Sequence, residues 1–115
     1  MLSKEIIQVC KKFNIIYMEM IDCINLKRDV YGSIEKLPYK GLYTNLLDDE
    51  NKIKNLIMTV EKDNEPYTWR QGEMVALVYK NNTGLVCMFY ITEKKGLESY
   101  QLSQCIFEYC KKILD

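Results

Sequence analysis

The sequence predicts an α+β fold in which helices pack on a central antiparallel sheet. Two observations carry that prediction. "MVALVYK" (74–80) and "LVCMFYIT" (85–92) are rich in β-branched, aromatic and aliphatic residues and flank a short turn sequence. Three other segments repeat apolar residues at helical spacing, and one of them closes the chain. Both strands are apolar at nearly every position, the pattern of strands covered on both faces. Three helices in a chain of 115 residues should cover one face fully and the other only in part, leaving room for a second copy.

In chain order, Ser3 stands where it can cap a first helix, with Leu2 just outside it. Ile6, Val9, Cys10 and Phe13 fall at helical spacing and predict a helix over 4–13. The pattern can run on through Tyr17, Met20 and Ile24, yet "NIIYMEMID" equally suits a buried strand. Helix and strand both stay open for residues 14–44. Within them "LKRDVYGSIEKLPYKGLYTN" carries turn chemistry at Gly32, Pro38 and Gly41, and the proline disfavours helical backbone at Leu37. Val30 to Ile34 reads as a short strand. Asp48, Asp49 and Glu50 crowd the start of a second helix, where acids complement the macrodipole. Ile53, Leu56, Ile57 and Val60 form its apolar stripe, and it should end near Glu61–Asn64, before Pro66. "NNTG" reads as the hairpin connection, with Gly84 available for positive φ. Leu102, Cys105, Ile106, Tyr109, Cys110 and Ile113 make the last helix, capped by Ser99 or begun at Leu97. No repeat or linker interrupts the chain, which reads as one domain over 1–115.

Composition excludes several functions. Sixteen basic and 16 acidic residues give zero net charge, which argues against nucleic acid as a partner, since phosphate neutralisation needs a basic surplus or face. The Lys94-Lys95 and Lys111-Lys112 pairs are the candidates for a local basic patch, though pairs like these are usually just solvated. No apolar run reaches the roughly 18 residues of a membrane span, and "MLSKEIIQVCKKF" does not read as a signal peptide; the expected location is the cytoplasm. The cysteines are Cys10, Cys23, Cys87, Cys105 and Cys110, an odd count without C-x-x-C. They read as reduced thiols, with Cys87, Cys105 and Cys110 buried. There is no histidine, which removes the commonest metal ligand and general base. Nine tyrosines supply large, rigid contact surfaces of the kind enriched at interfaces.

Candidate chemistry is sparse. Cys105 and Cys110 differ by five positions, about 140° beyond one helical turn, which converges two thiolates poorly; no metal is expected. The acids of "LLDDE" read as caps, Cys87 lies in a strand that should be buried, and no phosphate-binding G-x-x-x-x-G-K-[ST] occurs. "NNT" at Asn81 fits a glycosylation sequon but reads as a turn. No catalytic residue and no cofactor is expected, so the chain does not read as an enzyme. "YTWRQG" differs, because Tyr67, Trp69 and Arg70 are residue types that dominate interface hot spots. With Tyr79 and Tyr90 of the hairpin they form the candidate protein interface. An equal alternative has Trp69 plugging the core and Gly72 making a turn.

"NKIKNLIMTV", then "MVALVYKNNTGLVCMFYI", then "YQLSQCIFEYCKKIL" resemble the roadblock / dynein-light-chain family over residues 45–115, and more broadly the profilin-like and longin-like sandwiches. The resemblance implies a helix–strand–turn–strand–helix tail packing an antiparallel sheet between helices. It also implies two strands after the first helix and a further strand that is either missing or displaced to "YTWRQ". In function it implies a non-enzymatic module that homodimerises and serves as a scaffold or regulator for motors or small GTPases. Two other readings compete. One is a partner-specific binding protein such as a bacterial toxin-immunity protein. The other is a ligand-sensing domain of the PAS or GAF kind, which needs an internal pocket with convergent polar groups.

Overall fold

The computed structural model describes residues 3–61, 65–82 and 84–114. The elements are α1 (Lys4–Lys12), β1 (Tyr17–Asp22), β2 (Arg28–Gly32), a 3-10 turn (Ile34–Lys36), α2 (Lys40–Leu47), α3 (Glu50–Thr59), β3 (Tyr67–Gln71), β4 (Met74–Lys80), β5 (Gly84–Ile91) and α4 (Gly96–Leu114). The strands form one antiparallel sheet in the order β2-β1-β5-β4-β3, with β2 and β3 at its edges. This is the α+β architecture expected from the sequence, and the segment left open between helix and strand after the first helix forms the strand pair β1–β2. "YTWRQ" is β3 itself.

The first helix begins where Ser3 Oγ accepts the Ile6 N–H at 3.3 Å. It ends because Asn14 takes a left-handed conformation, φ 55°, which breaks helical phase. "NIIYMEMID" then resolves as strand, lying between β2 and β5. Alternation sends Tyr17, Glu19 and Ile21 to one face of the sheet and Met18 and Met20 to the other.

Both faces of the sheet are covered by this chain. Tyr17, Ile21, Ala76, Val78, Leu85, Cys87 and Phe89 pack with Leu42, Leu46 and Leu47 of α2 and Ile53 and Leu56 of α3. Met18, Val75, Leu77, Tyr79, Val86, Met88 and Tyr90 pack with Ile6, Val9 and Cys10 of α1 and Ile106, Phe107 and Cys110 of α4. The expectation of three helices and a half-covered face is therefore corrected. The missing element is α2, in "KGLYTNLL", which the nearby proline and glycines disguised as turn. Pro38 precedes that helix and Gly41 lies in its first turn, so neither interrupts it. Its N-cap, Tyr39, makes no side-chain cap; the Leu42 N–H donates instead to Gln71 Oε1 of β3 at 3.1 Å. A distant residue supplies what the local sequence does not.

Asp49 caps α3, accepting the Lys52 N–H at 2.9 Å, with Glu50 in the first turn. The helix stops at Thr59, before the expected Glu61–Asn64, of which 62–64 lie outside the described residues. In the hairpin, the Gly84 N–H donates to Asn81 Oδ1 at 2.8 Å and the Asn81 N–H to the Gly84 carbonyl at 2.9 Å. Asn81 thus works as a turn residue. Gly84 does not use positive φ; it is needed because a Cβ there would meet the Ile21 carbonyl oxygen of β1. The last helix begins at Gly96, ahead of both Leu97 and Ser99. Its buried residues are Ser103, Ile106, Phe107 and Cys110, and Cys105 is exposed. At about 100° per residue, Cys105 and Phe107 flank Ile106 symmetrically. Ser103 and Cys110 fall on the Phe107 side, so that side faces the sheet and Cys105 turns outward.

Candidate functional site

β3 is an edge strand whose hydrogen-bonded neighbour is β4, with Trp69 opposite Ala76 and Arg70 opposite Val75. Its residues alternate between faces. Tyr67 and Trp69 lie half-buried against the α2/α3 core, their rings stacked at 6.3 Å and 20°. Trp69 closes one wall of a groove of about 180 Å³ against Leu46, Asn55 and Leu56. Trp69 thus packs on the core while standing on the edge strand. Gly72 makes the β3–β4 turn at φ 60°, with the Tyr39 ring 2.6 Å from where a Cβ would stand.

Arg70 points to the opposite face. Its Nε donates to the Gly72 carbonyl at 2.8 Å and its Nη2 to that of Thr92 at 2.9 Å. Its Nη1 donates to the Lys94 carbonyl at 2.7 Å and to Ser99 Oγ at 3.2 Å. The guanidinium therefore staples β3 to the β5–α4 connection and borders a cavity of about 330 Å³ with Thr68, Val75, Tyr100 and Ser103. The sequence grouped Tyr67, Trp69 and Arg70; the sheet separates the arginine from the two rings.

Tyr79 and Tyr90 are 2% and 1% exposed. Tyr79 meets Phe107 edge-on at 5.1 Å. Burial pushes the Tyr90 hydroxyl up to about 12, against the opposing pull of the Arg70 charge. Both residues are core beneath α1 and α4, and neither offers a contact surface; strand alternation hides them on the inner face.

A polar cluster in the core escaped sequence reasoning. Glu19, 1% exposed, accepts the Tyr17 hydroxyl at 2.7 Å and pairs with Arg28 Nε at 2.8 Å. Arg28 Nη2 also donates to the Leu47 carbonyl at the end of α2 at 2.7 Å. Burial, and then the Glu19 hydrogen bond and charge, hold the Tyr17 phenol well above its usual range. Tyr43 and Cys87 are raised mainly by burial and next by the Glu19 charge. The one signal in the sequence was an acid inside the apolar run "YMEMID", with an arginine nine positions on. A carboxylate held by the charge of a guanidinium and the hydroxyl of a phenol ties β1, β2 and α2 together.

Among the described residues no group of three or more His, Cys, Asp or Glu side chains could hold a metal ion, and no helix is long and apolar enough to cross a membrane. Ile24, Met58 and Leu97 are exposed at 95%, 83% and 70%.

Taken together these features describe an α+β sandwich, an antiparallel sheet between two helical layers with an aromatic pair on one open edge. Among solved structures the chain is similar to Myxococcus xanthus MglB, at 12% identity and a TM-score of 0.49, over 92% of this chain and 88% of that one. It is also similar to an MglB with tetrameric arrangement, at 12% identity and a TM-score of 0.49, over 96% and 88% of the two chains. No protein-family model matches the sequence, and no curated protein does.

Proposed function

We propose that this chain is a non-enzymatic protein-interaction module, a one-domain homodimeric scaffold or regulator of the roadblock type acting in the cytoplasm. The observation that carries the reading is the open edge of β3 beside the stacked Tyr67–Trp69 pair. An edge strand presents backbone donors and acceptors to another chain, and a half-buried aromatic pair supplies the apolar anchor. Two copies of β3 running antiparallel about Trp69 would set the two tryptophans side by side and Arg70 opposite Thr68 of the partner. Like charges would then not meet across the new ladder. Zero net charge and the burial of Glu19 between Arg28 and Tyr17, away from solvent, fit a binding role better than catalysis. A ligand-sensing role is less well supported, because apolar side chains fill the core on both faces of the sheet. The family resemblance makes a small GTPase or a motor protein the further partner.

Sedimentation at micromolar concentration tests the reading. The wild type should run as a dimer. Trp69→Ala should shift it toward monomer with helix content unchanged by circular dichroism. A wild type that stays monomeric overturns the proposed dimer, and a Trp69→Ala chain that unfolds returns the residue to the core.

A further inference from the structure

Four sulfur atoms from four elements lie in the layer between the sheet and the α1–α4 pair. Cys10 Sγ of α1 is 3.4 Å from Met18 Sδ of β1, and Cys110 Sγ of α4 is 3.9 Å from Met88 Sδ of β5. Met18 and Met88 are direct cross-strand partners, so their side chains leave the sheet next to each other on one face. The two helices meet above them, where the Phe13 and Tyr109 rings pack edge-on at 5.3 Å. Each of the four residues is at most 1% exposed.

Cysteine and methionine are ordinary core residues, and filling space would explain their burial. In this layer, however, each thiol donates to a thioether, and the two thioethers stand on adjacent strands, so four sulfurs converge on one face. Cys87, equally buried on the other face, makes no such contact among the described residues. Thiolate and thioether are soft ligands that select Cu(I) over hard divalent ions. With metal–sulfur bonds of about 2.3 Å, two sulfurs sharing one tetrahedral ion stand about 3.8 Å apart, close to both observed separations. The chain contains no histidine to compete for the ion.

We propose that Cys10, Met18, Met88 and Cys110 bind one Cu(I) ion. On loading, the S–H bond of one cysteine breaks, its proton leaves to solvent and a thiolate–copper bond forms. The copper is neither oxidised nor reduced. One thiolate and one monovalent cation make a neutral centre, which a dry core tolerates where a lone charge would be costly. Because loading releases that proton, binding tightens as pH rises. The bound ion would clamp α1 and α4 to the sheet, on the face opposite α2 and α3.

The test uses the full chain under anaerobic conditions, in a Cys23→Ser/Cys105→Ser background that removes the two less buried thiols. Cu(I) is presented in competition with bicinchoninate. One equivalent per chain should be retained, with only sulfur in the first shell by X-ray absorption. Met88→Leu, which conserves volume, and Cys10→Ser should each weaken retention by about tenfold or more. Copper should raise the melting temperature of the background chain but not that of Met88→Leu, and Cys87→Ala should leave copper retention unchanged. Failure to retain copper against the chelator overturns the proposal. So does retention that survives Met88→Leu and Cys10→Ser, or a first shell containing nitrogen or oxygen.

Discussion

Replacing Arg28 by methionine should destabilise the chain by about 3 kcal/mol, although Arg28 lies on an edge strand. Its partner Glu19 is 1% exposed and only 2.8 Å away. Without the guanidinium, the buried carboxylate keeps the Tyr17 hydroxyl at 2.7 Å as its hydrogen-bond donor. Removing one member of a buried pair costs about 3–5 kcal/mol, because the other charge is left uncompensated. The Arg28 side chain is 33% exposed, so water already screens part of the interaction and the lower end of that range applies. The lost bond to the Leu47 carbonyl is worth about 1 kcal/mol and falls within that figure. Methionine retains the aliphatic stem, which keeps packing losses small. Unfolding entropy of about 2.1 cal/mol/K per residue converts 1 kcal/mol to about 4 °C for a chain of 115 residues, so the melting temperature should fall by about 12 °C. Thermal denaturation followed by circular dichroism reads this directly. The double variant Glu19→Gln/Arg28→Met, which removes the orphaned charge, should recover about 1–2 kcal/mol of the loss. Lys54→Met, which breaks an exposed pair with Glu50, is the control and should stay within about 0.5 kcal/mol. An Arg28→Met shift no larger than the control's would show that the pair does not carry the Glu19 charge.

Ile106→Ala should cost about 2–5 kcal/mol, since Ile106 is 1% exposed under α4, while Lys111→Ala should stay within about 0.5 kcal/mol; equal shifts in the denaturant midpoint would contradict the assigned helix face. The buried thiols predict a loss of stability in alkali. The folded-state value of Cys10 is raised to about 12 from 9.0, and Cys87 is raised as well. Their contribution is complete below the ordinary thiol value and declines as pH rises through the folded one. Urea midpoints should therefore fall from pH 8 to pH 11, with maleimide reaching Cys105 before Cys10, Cys87 or Cys110; a flat profile over that range would contradict burial of the thiols.

Much of the architecture was legible in the order of residues. The hairpin announced itself because β4 and β5 are apolar at almost every position, a pattern that only burial on both faces rewards. The first, third and last helices were visible through period and caps, with Ser3 and Asp49 satisfying amide donors within their own turn. These are local signals, and each reaches no further than three or four residues. The α+β class follows from them.

What stayed hidden depended on contacts between distant residues. The second helix has a weak start that becomes satisfied only when Gln71, 29 positions away, accepts the Leu42 amide. β1 was ambiguous because a dense apolar run suits either structure, and pairing with β2 and β5 decided it. Cys105 and Phe107 are equivalent by helical period about Ile106; only docking on the sheet chose which one faces in. The aromatic and basic residues of "YTWRQ" were recognisable as a chemical type, yet edge position and strand alternation divided them into an open pair of rings and a structural staple. Tyr79 and Tyr90 were drawn into the core by the same alternation. The Glu19–Arg28 pair and the four sulfurs between α1, α4 and the sheet have no spacing that marks them in one dimension. Side-chain chemistry and period were therefore read from the sequence alone, whereas proximity, and with it every candidate site, was decided by the tertiary structure, because a contact between residues far apart in the chain exists only once the sheet has closed its register.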